Sequence, residues 1–207
     1  LDIFNNKSLF YSFCTLNCLD TIETYDLHEL NNKMSFPLYL KPKFGSSSNG
    51  HRIVKSIEEL ASFTETKSDD YILQNLVTAA EATVDCIRCF KTGKILTLPR
   101  WRIRVQDGKS TTAKAFYSEE INAICEKVLR LSKFFGACNL QFFKSEDIWK
   151  IIEVNPRMSA GGLPLATESG LNIPELLIKN LMYGQSLPNV EIEFSKSMYR
   201  YYTEVFE

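Results

Sequence analysis

Apolar positions along the chain recur at two spacings, one near 3.6 residues and one of two, and each marks a different element. The clearest helical run covers residues 118–135, where Ile121, Ile124, Cys125, Val128, Leu129, Leu131 and Phe135 fall on one face. A last helix is predicted from Asn172 as N-cap, with Pro174 in its first turn, to a stop at Gly184. Ser56-Ile57-Glu58-Glu59 is a capping box that opens a helix to about Thr66. Shorter helices are predicted over Asn5–Asn17 and Leu27–Met34, with Cys18–Tyr25 extended between them. Alternation predicts strands at Phe36–Pro42, Arg52–Val54, Tyr71–Leu76, Glu81–Phe90, Lys94–Leu98, Trp101–Gln106, Cys138–Phe143 and Trp149–Val154. Turns at Thr92-Gly93 and Lys144–Asp147 make hairpins, Asp107-Gly108 ends a strand, and Val190–Glu207 holds one or two strands. Hairpins mixed with separate helices predict an α+β fold rather than a regular βαβ array.

Composition narrows the class. A chain of 207 residues suffices for one large domain or two small ones. Forty-four per cent hydrophobic and 24% charged residues are ordinary for a globular protein, and a net charge of −1 argues against nucleic-acid or anionic-membrane binding. No apolar run reaches bilayer length and no signal peptide opens the chain, so a cytoplasmic location is expected. The first residue is a leucine, as expected of a fragment or an excised domain. Cys86 and Cys89, three apart on a strand, point to opposite faces, which argues against a shared metal or redox pair. Cys14 and Cys18, at i and i+4, would face each other on a helix. The six cysteines are expected to be reduced, mostly structural thiols. His28 and His51 are isolated and expected on the surface or in loops.

Four stretches carry candidate chemistry. Ile151–Ser159 begins as an apolar strand in which Ile152 and Val154 point one way and Glu153 and Asn155 the other. A carboxylate beside an amide oxygen suits Mg²⁺ or Mn²⁺ when phosphates complete the shell, and Arg157 adds a planar fork for phosphate oxygens. The alternative is a half-buried strand with a polar edge. One strand earlier, Asn139 and Gln141 share a face, and Gln141 can converge with Glu153 on one cation. Lys41, followed by the small-residue loop Phe44–Gly50 with Gly45, Ser47, Ser48 and Gly50, can surround phosphates with backbone N–H groups and an ammonium, or else form a plain surface hairpin. Tyr71–Leu76 followed by Glu81 suits a nucleoside: backbone near Gln74 and Leu76 for the base, and Glu81 for the ribose hydroxyls. An ordinary strand connection is the other reading. Arg100, Arg102 and Arg104 share a strand face, where they repel unless an anion or acidic residues sit opposite; a solvated sheet face is the alternative.

In this order, these features resemble the ATP-grasp superfamily, in particular the large subunit of carbamoyl-phosphate synthetase and its carboxylate–amine ligase relatives. The resemblance runs from about Asn5 to Gly184. It rests on Lys41-Pro42, the loop to Gly50, Gln74 to Glu81, the arginine strand, Asn139-Leu140-Gln141 and Glu153-x-Asn155-Pro156-Arg157-x-Ser159, followed by Gly161-Gly162-Leu163, Thr167-Glu168-Ser169-Gly170 and Pro174-Glu175-Leu176-Leu177. It implies two α+β lobes clamping Mg-ATP between antiparallel sheets: residues 1–35 as a connecting segment from a missing N-terminal domain, 36–77 as the lid, and 78–207 as the larger lobe with the metal site. By position, Lys7, Lys41 and the Gly45–Gly50 loop would hold the phosphates, Gln74 and Leu76 the adenine, and Glu81 the ribose. Gln141, Glu153 and Asn155 would hold two Mg²⁺ (or Mn²⁺) ions, with Glu153 bridging. Arg157 would steady the transferring phosphoryl group, and Arg100, Arg102 or Arg104 the substrate carboxylate.

The implied activity is ATP-driven conversion of a small carboxylate into an acyl phosphate, which an amine or similar nucleophile attacks. Implied partners are those small molecules, with neither nucleic acid nor membrane, in a homodimer or a larger parent chain. Ser47 stands where a glycine is common, Asn75 replaces a frequent acidic residue and Thr78 a frequent glycine. The competing readings are a non-catalytic ATP-binding module serving as sensor or scaffold, and a structural α+β domain with chance motifs.

Overall fold

The computed structural model describes residues 2–29, 34–45, 50–61, 68–201, 203 and 206. The chain divides into two compact units: Leu1–Ala79 with Phe143–Glu153, and Ala80–Phe142 with Val154–Glu207. The architecture is α+β, with one four-stranded and one six-stranded sheet. No helix among the described residues is long and apolar enough to cross a membrane.

The first unit opens with two short helices, α1 (Asp2–Asn5) and α2 (Lys7–Leu16), where one was predicted. Asn6 makes the break: its backbone is extended, and its side chain accepts from Ser8 N and Leu9 N as an N-cap. Because α2 ends at Leu16, Cys18 leaves the helix and lies exposed while Cys14 is buried, so the two do not share a helical face. The sheet order is β1 (Thr24–Asp26), β4 (Tyr71–Asn75), β2 (Leu38–Pro42), β3 (Arg52–Val54), all pairs antiparallel. Leu38 and Leu40 of β2 turn into a core with Leu27, Val54, Leu60 and Leu73. Each such side chain contributes about 1.5–3 kcal/mol by leaving water. Within the predicted Leu27–Met34 helix, Leu27–Glu29 form a 3₁₀ turn, and residues 30–33 lie outside those described. Helix α3 is described over residues 57–61, and its expected continuation over 62–66 lies outside the described residues.

In the six-stranded sheet the order is β10 (Ser197–Tyr199), β7 (Lys109–Ala115), β6 (Ile95–Gln106), β5 (Ala80–Arg88), β8 (Gly136–Ser145), β9 (Ile148–Asn155). The two predicted strands around Pro99 are one, and Asp107-Gly108 ends it as predicted. Both residues have positive φ, 50° and 71°, as a two-residue hairpin turn requires, and they lead into β7, a strand that the apolar pattern did not predict. Helix α4 (Glu119–Leu131) is capped by Ser118 and stops four residues earlier than predicted, because Lys133 adopts φ 53°. Arg88 donates to the carbonyls of Leu129 (2.6 Å) and Phe134 (3.1 Å), satisfying the helix C-terminus. Helix α5 (Leu163–Glu168) follows the Arg157 segment, and α6 (Ile173–Tyr183) runs from the Asn172 cap to Gly184 in the left-handed conformation. Ile87, Leu98, Ala113, Leu165, Ile173 and Leu176 belong to this unit's core.

All six cysteines are free thiols, and all but Cys18 are buried. Among the described residues no group of three or more His, Cys, Asp or Glu side chains is placed to hold a metal ion.

Candidate functional site

In the first unit a basic cluster forms around the ends of β2 and the small-residue loop. Tyr39 and Lys41 alternate with Leu38 and Leu40 and so share the face opposite the core. Lys41 is nonetheless only 7% exposed, with Nζ 4.8 Å from the centroid of the Tyr39 ring. Lys7, at the start of α2, donates from Nζ to the Gly45 carbonyl at 3.0 Å, and its backbone N–H donates to Lys43 O. Burial lowers the Lys7 pKa, opposed by the Glu153 carboxylate.

His51 completes the cluster. Its Nδ1 lies 3.2 Å from the Tyr39 hydroxyl, and the two rings meet edge to face. Burial, with Lys41 and Lys7 nearby, pushes its pKa down to about 4 against the pull of Glu153. Expected to be isolated, His51 instead shares its surroundings with three candidate residues. The sequence signal that could have found it is its place directly after Gly50. Gly45 and Gly50 have φ of 101° and 75°, backbone that favours glycine, so both loop ends need the residue they have. Ser47 and Ser48 lie outside the described residues.

Gln74 lies inside the sheet. It pairs with Thr24 on one side and Tyr39 on the other, so its backbone faces neighbouring strands on both edges. Its side chain is buried and donates to Thr24 Oγ1 at 2.8 Å, with Oε1 unpaired among the described residues. Leu76, just past β4, is exposed. Glu153, near the end of β9, is half-buried.

The second unit holds the remaining candidates. Arg100 is 2% exposed. Its Nε donates to Asp85 Oδ2 at 2.7 Å and its Nη1 to Ser110 Oγ at 3.2 Å. The guanidinium lies on Gly162, where a Cβ would sit 2.0 Å from it. Arg102 pairs with Glu81 at 3.3 Å, so the residue expected at a ribose is engaged with an arginine. Register shifts either side of Arg104 put a bulge in β6, and Arg104 is exposed. The expected single face of three arginines is therefore corrected: acidic residues oppose Arg100 and Arg102, and the bulge sets Arg104 apart.

On β8, Gln141 is half-buried and Asn139 buried. Asn155 ends β9 with its Nδ2 donating to Asn139 Oδ1 at 3.3 Å, and Asn139 Nδ2 donates to Arg157 O at 2.9 Å. The Arg157 side chain is exposed and donates to its own neighbour's carbonyl, Met158 O, at 3.4 Å. The spacing of Asn139 places it on the Gln141 face, and nothing in that spacing shows that it joins Asn155 to Arg157.

A family model described as "ATP-grasp in the biosynthetic pathway with Ter operon" matches residues 67–203. The chain belongs to the ATP-grasp family. Among curated proteins this ATP-grasp chain is similar to the carbamoyl phosphate synthase large chain of Methanosarcina mazei, 21% identical over 187 residues, covering 83% of this chain and 17% of that one. It thus spans about a sixth of the length of the curated relatives it matches.

Two solved structures share the fold. One is the biotin carboxylase domain dimer of Hydrogenobacter thermophilus 2-oxoglutarate carboxylase, in complex with MgADP, ADP and bicarbonate (TM-score 0.79, 15% identity, 95% of this chain and 49% of that one). The other is N5-carboxyaminoimidazole ribonucleotide synthetase of Thermus thermophilus (TM-score 0.74, 18% identity, 92% and 56%). The ATP-grasp fold and its likeness to carbamoyl-phosphate synthetase and carboxylate–amine ligases, implied by the ordered motifs, are borne out.

Proposed function

We propose that this ATP-grasp chain binds Mg-ATP and activates a small carboxylate as an acyl phosphate for attack by an amine or similar nucleophile. The observation that supports it most is the cluster of Lys7, Lys41 and His51 beside Glu153 in one unit, next to a loop with glycines at both ends. Two ammonium groups close to one another, at a loop whose ends are glycines, suit the charge and the oxygens of a polyphosphate. Lys7, Lys41 and the Gly45–Gly50 loop, with Ser47 and Ser48, take the phosphates. Gln74 and Leu76 take the adenine side, Glu81 the ribose.

The donor set of Gln141, Glu153 and Asn155 is all hard oxygen and would suit Mg²⁺ or Mn²⁺, in our reading two ions. The metal supplies charge neutralisation on the transferring phosphoryl oxygens. Arg157, whose side chain is exposed, steadies the same group. A substrate carboxylate oxygen attacks the γ-phosphorus, the β–γ bond breaks and ADP leaves. The nucleophile then attacks the acyl carbon and phosphate leaves. Arg104 is the arginine available to hold the substrate carboxylate.

The second reading, a nucleotide-binding module without turnover, draws on Arg100. One of the arginines expected on the substrate side is buried against Asp85. ADP release from Mg-ATP, measured for the full-length gene product with a panel of amino acids, bicarbonate and small carboxylates, separates the two. Stimulation by one of these is expected, and Glu153→Gln should lower it about 10²- to 10³-fold. Tight Mg-ATP binding with no stimulation by any compound favours the module, and full activity in Glu153→Gln rejects the metal assignment.

A further inference from the structure

Asn139 makes two hydrogen bonds from one side chain, to the residues on either side of Pro156. It is 3% exposed and lies on β8, two residues before Gln141 and on the same face. A backbone carbonyl can only accept. The group facing Arg157 O, at 2.9 Å, must therefore be the Asn139 NH₂. That fixes the Asn139 oxygen toward Asn155, 3.3 Å away, and an oxygen there requires the Asn155 NH₂ opposite it. The Asn155 Oδ1 is then the atom turned away from Asn139. One backbone carbonyl thus determines the orientation of two amides in sequence. At the same time it pins the chain at Arg157, where the N–H already donates to Asn155 O at 2.7 Å and Pro156 has no N–H to offer.

We propose that Asn139 is a positioning residue: it presents the Asn155 amide oxygen to the divalent cation and holds the Arg157 segment in place, coupling the metal ligand to the phosphoryl clamp across Pro156. This rests on the reading of Asn155 as a metal ligand and Arg157 as a phosphoryl clamp given above. Groups of this kind, one bond removed from a metal, set ligand orientation and typically govern affinity by about 10- to 100-fold.

The test compares Asn139→Leu, which removes both bonds at similar volume, with Asn139→Asp, which keeps an acceptor for Asn155 Nδ2 and loses the donor to Arg157 O. Mn²⁺ binding in the presence of ADP is followed by electron paramagnetic resonance, and ADP binding in chelator by calorimetry. In Asn139→Leu, Mn²⁺ affinity is expected to fall about 10- to 100-fold while metal-free ADP affinity stays within about twofold. In Asn139→Asp, Mn²⁺ affinity is expected to fall far less, because the Asn155 amide keeps its orientation. Folded Asn139→Leu with parental Mn²⁺ affinity, or with metal-free ADP affinity reduced to the same extent, overturns the proposal.

Crystal structures of the two variants without ligand give a second readout that does not depend on nucleotide binding. The Asn155 amide should turn or spread over two orientations in Asn139→Leu, and the Arg157 carbonyl should shift in both. Asn155 and Arg157 within about 0.5 Å of their parental positions in both variants would show that Asn139 positions nothing. If the parent binds no Mn²⁺ with ADP, the metal reading above fails, and these structures still decide the positioning role. If Asn139→Leu does not fold, Asn139→Asp carries the comparison: an unmoved Arg157 carbonyl overturns the proposal.

Discussion

His51 is an imidazole held neutral by its surroundings. Its pKa is depressed to about 4 by burial and by Lys41 and Lys7, against an ordinary 6.5. Between those values the unfolded chain binds a proton on this ring and the folded chain does not. Stability therefore rises with pH across the window and declines as acid is added from about 6.5 toward about 4. Urea midpoints of the parent and of His51→Gln across that range should show a shallower acid slope in the variant. A steeper slope in the variant would contradict the cluster. The lysines, the glutamate and the glycines of this cluster were legible in the sequence, because each residue type announces its chemistry. The histidine was not, because its meaning comes from what folds against it: Tyr39 at one nitrogen and two ammonium groups nearby. Arg100 shows the converse. Its residue type suggested an anion, and Asp85, fifteen residues earlier on the neighbouring strand, turned out to be that anion.

Elements with an apolar stripe were read well, and those without one were not. Helices α4 and α6 carry both stripe and caps, and their starts matched Ser118 and Asn172. Strand β7 is Lys-Ser-Thr-Thr-Ala-Lys-Ala. Its buried positions are Ser110, Thr111, Ala113 and Ala115, small side chains that give no hydrophobic signal. Small size there has a structural reason, since the Gly161 segment packs directly on the strand. A Cβ at Gly161 would lie 2.7 Å from Ser110 N, a backbone atom that cannot swing aside. Gly161→Ala is accordingly expected to cost about 1–3 kcal/mol by overpacking. The denaturant midpoint should fall at an unchanged m value, whereas an unchanged midpoint would mean that this contact is loose. The break at Asn6 and the end of α4 ahead of Lys133 escape the apolar pattern for one reason. Both depend on a single residue leaving helical geometry while its neighbours keep a helical pattern.

On the scale of the whole molecule, the ordered motifs specified the family more firmly than any one of them specified a site. Spacing over nearly the full length is hard to reproduce by chance, whereas Lys41 alone or Arg100 alone is not. The division into units could not be read from that order. Residues Phe143–Glu153 belong with the first unit although they follow the start of the second in sequence, because the unit boundaries fall within strands β8 and β9 rather than between elements. The thiols offer a way to watch these units open. Five of the six are sealed in the interior, drawn from α2, β5, α4, β8 and the residue after β5, while Cys18 alone stands in solvent. A chromogenic disulfide reagent should therefore record one rapid equivalent on the native protein, with the other five following at the rate of local or global opening. Two or more rapid equivalents would mean that part of the interior is already accessible. The burial pattern thus makes the protein its own clock: with Cys18 replaced by serine, the remaining reaction times the opening of each unit, without label, ligand or knowledge of the substrate.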